Sequence, residues 1–211
     1  MKSELKYEGV EVVFLKHAGF KVRGSKTIYI DPYDIPEGAE MDKADYVFIT
    51  HDHFDHMDYK AIRKLATHHT TIVYPEGCAF EGEGYATCTL QPEQKEELDG
   101  MTVTTIPAYN LEKDFHPKGI YVGYIIEMDG VKIYHAGDTD YTPEMKNIDV
   151  DIALIPVGGK YTMDVEEAKK ALEGINAKYI VPMHYGALPD TQADVSKLES
   201  DNVVVLTPTF S

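Results

Sequence analysis

Residues 48–58 read FITHDHFDHMD. Phe48 and Ile49, with Tyr46 and Val47 before them, are β-branched or aromatic, so the stretch opens as a short strand. Three histidines and three aspartates then crowd into the turn that follows. In an extended chain, side chains two apart point the same way, so His51 and His53 can converge on one ion. Asp55 and His56 come where the chain must turn before a helix begins, placed to face a second ion close to the first. Imidazole and carboxylate together suit zinc, manganese or iron, and the lack of cysteine in the cluster argues against a closed structural zinc site. A solvated, half-neutralised His/Asp loop is the plain alternative. Four ligand-type residues at this spacing, directly after a strand, favour metal.

Composition narrows the partners. The chain has 211 residues, enough for a hydrophobic core in one domain spanning 1–211. Twenty basic residues against 36 acidic ones give a formal charge of −16. No basic run is present, so a nucleic-acid partner is not expected. A small-molecule substrate is expected, with local positive charge supplied by bound metal rather than by Lys and Arg. Cys78 and Cys88 form neither a disulfide framework nor a CxxC pair. With no apolar stretch of about 20 residues and no signal-peptide core in MKSELKYEGVEVV, the expectation is a cytoplasmic protein with no membrane partner.

Along the chain, Val10–Leu15, Lys26–Ile30, Tyr46–Ile49 and Thr71–Tyr74 read as strands, and Tyr59–Ala66 as an amphipathic helix. Asp31-Pro32 closes the second strand. The second half repeats the logic with strands at Thr102–Ile106, Tyr121–Glu127, Lys132–His135 and Ile152–Ile155, and an Asp129-Gly130 hairpin turn. A helix is expected at Asp164–Glu173, capped by Thr162 and stopped by Gly174. Short strands at Tyr179–Val181 and Val203–Leu206 flank a helix within Ala193–Ser200. Two successive groups of strands and helices, with hairpins inside each, suit an α+β fold of two mixed sheets packed together with helices outside.

His51-x-His53-x-Asp55-His56 resembles the signature of the metallo-β-lactamase superfamily of metal-dependent hydrolases. TIYIDPY, IYHAGDTD, IPVGGKYTMDVEEA and IVPMHYG resemble further segments of that family in the same order, covering nearly the whole chain. The likeness is strongest to small hydrolases near the ascorbate-6-phosphate lactonases. It implies a four-layer αββα sandwich and two divalent metal ions, zinc first, with manganese or iron as alternatives. By the same resemblance, His51 and His53 hold the first ion with a third histidine. Asp55, His56 and His184 hold the second, and Asp138 of GDTD bridges both. Relatives carry the third histidine directly after a PA-aromatic segment, where this chain has Asn110 in IPAYN. His116 in DFHPKG is the substitute, since imidazole binds these metals better than an amide. Asn110 is then left to hydrogen-bond substrate or a ligand.

Other positions have weaker claims. Asp31 fits the role of accepting an N–H from a ligand histidine, with a plain Asp-Pro turn as the alternative. His17 in LKHAGF matches a histidine of the lactonase-like relatives, as a substrate or proton-transfer group or a hydrogen-bonded structural residue. His135 faces inward beneath the metals by strand alternation. Lys160 and Tyr161 are loop candidates for contacting an anionic substrate, and His68 and His69 read as a helix-end pair.

With two ions about 3.5–4 Å apart, a shared water becomes hydroxide near neutral pH and attacks an ester, lactone or phosphate-bearing centre. Asp55 and Asp138 orient it, and His17 is a candidate for the leaving group's acid. No GxSxG elbow is present to suggest a serine nucleophile. The expected substrate is small and anionic, and an oligomer is compatible with the sequence. The alternatives are a phosphodiesterase or nuclease of the same superfamily, and a non-catalytic metal- or ligand-binding protein retaining the fold.

Overall fold

The strands form two sheets, one after the other along the chain, in a computed structural model that describes residues 2–82 and 84–210. The first sheet holds β1 (Glu4–Tyr7), β2 (Val10–Lys16), β3 (Gly19–Arg23), β4 (Thr27–Ile30), β5 (Tyr46–Phe48), β6 (Thr71–Pro75) and β7 (Ala86–Leu90), side by side in that order. Pairing is antiparallel from β1 to β4 and parallel from β4 to β7. The second sheet holds β8 (Lys95–Leu98), β9 (Met101–Pro107), β10 (Val122–Met128), β11 (Val131–His135), β12 (Ile148–Pro156) and β13 (Ile175–Met183). It too begins antiparallel and ends parallel, the change falling between β11 and β12. Both sheets are therefore mixed, as expected.

Alternation along the strands builds three cores. Val10, Val12, Phe14, Ile28 and Ile30 of the first sheet meet Val122, Tyr124, Ile126, Ile152 and Leu154 of the second in one central layer. The intervening residues face outward onto helices. Tyr29, Val47 and Ile72 pack against Ile62 and Leu65 of α1 (Tyr59–Leu65). Tyr134, Ala153 and Ile180 pack against Ala168 and Ala171 of α2 (Val165–Gly174). This is the four-layer αββα arrangement. Among the described residues no helix is long and apolar enough to cross a membrane.

Several elements differ from expectation. Asp164, not Thr162, caps α2 by accepting the Glu167 N–H, while the Thr162 hydroxyl donates to the Met163 carbonyl. Gly174 lies inside the helix, where a Cβ would run into the Tyr141 hydroxyl, and Ile175 is the C-cap. The expected Val203–Leu206 strand is a single bridge from Val203 to Ile180. Within Ala193–Ser200 only a 3-10 turn forms, at Val195–Lys197, with the Asp194 carboxylate capping it by accepting the N–H and the hydroxyl of Ser196. Four strands escaped the sequence reading. Of these, β7 is built from small polar residues and β8 (KEEL) is a charged edge strand, the composition that discourages pairing with other chains.

Phe20 is fully buried in the central core and stacks on Phe14 with ring centroids 4.9 Å apart. Phe20→Ala should lower unfolding free energy by about 3–5 kcal/mol. Val205→Ala, at a position 47% exposed, should change it by less than about 0.5 kcal/mol. Urea titration followed by circular dichroism reads both.

Candidate metal centre

The site grows from strand ends. Beyond β4 comes Asp31, beyond β5 come Thr50 and His51, beyond β11 comes Asp138, and beyond β13 comes His184. Parallel strands present their carboxyl ends to ligands in this way. After His51 the chain coils at once, the N–H groups of His56 and Met57 both donating to the His53 carbonyl at 3.0 and 2.8 Å. That coil folds His56 back until its ring lies 4.0 Å from that of His51. Asp58 then caps α1 by accepting the N–H groups of Lys60 and Ala61.

Two groups of ligand-type side chains result. His51, His53 and His116 form one, and His17, Asp55, His56 and His184 the other, with the ligand atoms in each group within 4.8 Å of one another. Asp138 stands between them. Its Oδ2 lies 2.9 Å from His184 Nε2, 3.3 Å from His116 Nε2 and 3.9 Å from His51 Nε2, and its Oδ1 lies 3.3 Å from His56 Nε2. The structure thus brings together the whole set His51, His53, Asp55, His56, His116, Asp138 and His184, with His17 alongside.

Whether these residues suit a metal can be judged from the atoms they leave unpaired. Nε2 of His51, His56, His116 and His184 and Oδ1 of Asp138 are all buried and make no hydrogen bond. An unsatisfied buried polar atom costs about 1–3 kcal/mol, so five in one spot need a common partner. Nitrogens and a carboxylate oxygen aimed at one point fit a divalent cation.

The opposite edges of three of these rings are engaged, while His184 has both ring nitrogens buried and unpaired. His56 Nδ1–H donates to Asp31 Oδ2 at 2.7 Å, and His116 Nδ1–H to Asn110 Oδ1 at 2.9 Å. The Thr50 hydroxyl donates to Asp31 Oδ2 at 2.6 Å and accepts from His51 Nδ1–H at 2.9 Å. In the neutral form of all three rings these bonds keep the proton on Nδ1 and leave Nε2 as the ligand atom. Asp31, fully buried and held in the left-handed region at φ +45°, therefore orients His56 directly and His51 through Thr50. Thr50 was missed in the sequence; its place immediately before His51 was the available signal. Gly158 leaves room for His184, since a Cβ there would strike the His184 carbonyl and stand 3.1 Å from Nδ1.

Asn110 bonds neither cavity nor solvent. Its carbonyl accepts the N–H and the ring Nδ1–H of His116, while its amide donates to Asp140 Oδ1 and the Tyr161 carbonyl. Lys113 neutralises Asp140 at 2.5 Å. His17 Nε2–H donates to Asp55 Oδ2 at 3.0 Å, and the His17 carbonyl accepts the His184 N–H at 2.7 Å. His135 is buried but tied elsewhere, its Nε2–H donating to the Ala18 carbonyl while Nδ1 accepts the Gly137 N–H. Lys160 pairs with Asp190 at 2.7 Å. His68 and His69 are exposed, their rings tilted against each other with centroids 3.8 Å apart.

Protonation follows from burial and neighbours. Burial, followed by the nearby His56, pushes His51 well below the ordinary histidine range. Burial also lowers His17, to about 4, against the opposing pull of Asp55. Burial works to raise Asp138 and Asp55, but the surrounding histidines prevail and hold both carboxylates ionised. His56 goes the other way: despite burial, Asp138, Asp31 and Asp55 raise it well above its usual value.

Residues 11–184 match the family described as "Beta-lactamase superfamily domain", and the chain belongs to that superfamily. More narrowly, it groups with proteins named "UPF0173 metal-dependent hydrolase". One from Thermococcus onnurineus is 37% identical over 217 residues, covering 94% of this chain and 97% of the relative. Another, from Pyrococcus abyssi, is 35% identical over 219 residues, with the same two coverages of 94% and 97%. Among solved structures, Igni18, a metallo hydrolase from the archaeon Ignicoccus hospitalis, is 28% identical with a TM-score of 0.79, covering 94% of this chain and 95% of its own.

Two outcomes are expected. Asp138, Asp31 and Asp55 raise His56 above its usual range despite burial, and a proton held there must leave before Nε2 can bind metal, so affinity for zinc or manganese should rise as the pH is raised from about 6 to 8. Calorimetric titration across that range reads the slope, and a flat profile contradicts the assignment. Asn110→Ala frees the His116 ring to turn and should weaken metal binding about 10–100-fold, read by competition with a chromophoric chelator.

Proposed function

We propose that the protein hydrolyses a small ester, lactone or phosphate-bearing substrate and depends on two divalent ions, zinc or, failing that, manganese or iron. The observation that supports this most is the set of five buried, unpaired ligand atoms converging around Asp138. His51, His53 and His116 would hold one ion; Asp55, His56 and His184 would hold the other; Asp138 lies between and would serve both. When bound, such ions supply Lewis acidity, which activates water near neutral pH and stabilises negative charge developing on the substrate.

The protein's own groups do the rest. Asp55 and Asp138 are ionised carboxylates in the wall of the cavity above the cluster, placed to accept a hydrogen bond from the attacking water and fix its direction. His17 does not line that cavity. It holds a proton at Nε2 against Asp55 Oδ2, so it acts through Asp55, positioning the carboxylate and keeping a proton beside it. Asp31, Thr50 and Asn110 orient three rings so that Nε2 faces inward. Phe54 and Phe115 flank the cluster as apolar walls of the cavity.

Neither the nuclease nor the sensor alternative gains support. Among the described residues no Lys or Arg lines the cavity, as a phosphate-backbone ligand would require. Asn110, the residue that weakened the enzymatic reading, instead supports His116.

Purified protein should contain about two ions per chain by metal analysis. Asp138→Ala should lower turnover of p-nitrophenyl esters or bis-nitrophenyl phosphate by roughly 10²–10³-fold or more. Unchanged turnover in that variant would remove the proposal.

A further inference from the structure

The cavity over the cluster is about 570 Å³, and its walls have an uneven chemistry. Toward the floor lie His53, His116, Asp138 and His184. Further out, Phe54, Phe115, Tyr161, Leu188 and Pro189 line it, together with Asp52 and Asp190. Phe54 is 70% exposed and Phe115 42% exposed, and Phe115 meets Tyr161 edge to face with centroids 4.8 Å apart. Large apolar rings standing open to water beside a polar floor are the usual build of a small-molecule site.

Charge is as informative as apolarity. Lys160, beside Tyr161 in the chain, is bound to Asp190 and lies 5.2 Å over the Tyr161 ring, so its charge is already partnered. Asp52 accepts from the Tyr121 hydroxyl at 2.8 Å and adds no positive charge either. An anionic reacting group still meets cations at the floor, but a second negative charge further out meets only carboxylates and rings.

We propose that the substrate carries, beyond its reacting centre, an uncharged aromatic or branched alkyl group that lies on Phe54, Phe115 and Tyr161, and that a negative charge in that position is rejected. This deepens the hydrolase reading and rests on it. The anionic substrate anticipated from composition is thereby narrowed to one whose remote part is neutral.

Three p-nitrophenyl esters test it on metal-loaded protein: the acetate, the phenylacetate and the hemisuccinate, whose remote end is a carboxylate. In each, water's oxygen bonds to the acyl carbon as the acyl–oxygen bond breaks. Nitrophenolate leaves, and both water protons pass to buffer. The expected kcat/KM for phenylacetate exceeds that for acetate by at least about tenfold, and hemisuccinate falls below acetate. Phe54→Ser and Phe115→Ser should each shrink the phenylacetate-to-acetate ratio, a quantity that general damage to the protein leaves unmoved. Hemisuccinate equal to or better than acetate, or ratios unchanged in both variants, overturns the inference while leaving hydrolysis intact.

If no ester is turned over, the hydrolase reading fails for esters, and binding then decides the inference. The chain contains no tryptophan, so Phe54→Trp places a single indole at the cavity wall, excited selectively over the tyrosines at the red edge of absorption. Phenylacetamide should quench it saturably and succinamate should not. Equal or reversed quenching overturns the proposal.

Discussion

Asp138 is 3% exposed and has four imidazole nitrogens within 3.9 Å, none in a hydrogen bond with it. An ionised carboxylate out of water is costly unless charge or hydrogen bonds compensate it. Without metal, the compensation falls on a protonated His56. With metal, it comes from the cations themselves. Much of the surrounding architecture answers that one requirement. The ends of β5, β11 and β13 deliver the groups, and the outer rim of Asp31, Thr50 and Asn110 decides which ring nitrogen points inward.

The two sheets make this possible because neither is complete as a site. From the first come His17, Asp31 and the His51–His56 coil; from the second, Asp138, His184 and the loop bearing His116. The central apolar layer clamps the sheets at a fixed spacing, and residues in strained backbone complete the fit. His17, Asp31 and His184 all have φ between +45° and +59°, a region ordinary side chains avoid at a cost of about 1–3 kcal/mol each. Their strain lies next to the cluster, where surrounding structure holds it in place.

Much of this was legible in the sequence. The HDHFDH run is local, so its spacing suggested convergence, while Asp138 and His184 were supplied by the resemblance to the metallo-β-lactamase family, with which their places at strand ends agree. His116 could be proposed but not located, because a six-residue offset from Asn110 along a loop says nothing about distance in space. Only coordinates reveal that the two residues clasp each other. Of the outer cavity wall only Tyr161 was proposed from the sequence: Phe54, Phe115 and Leu188 come from three separate loops and follow no periodicity. Of the missed strands, β8 (KEEL) has no β-branched or aromatic residue, and β7 (ATCTL) has only two threonines of that kind, so their neighbours in the sheets hold them in place instead.

Asp31 has one further consequence. A single carboxylate governs the orientation of His51 on one side and, directly, of His56 on the other. Ordering one ring therefore helps to order its counterpart. Loss of that one carboxylate would therefore loosen both halves of the cluster together.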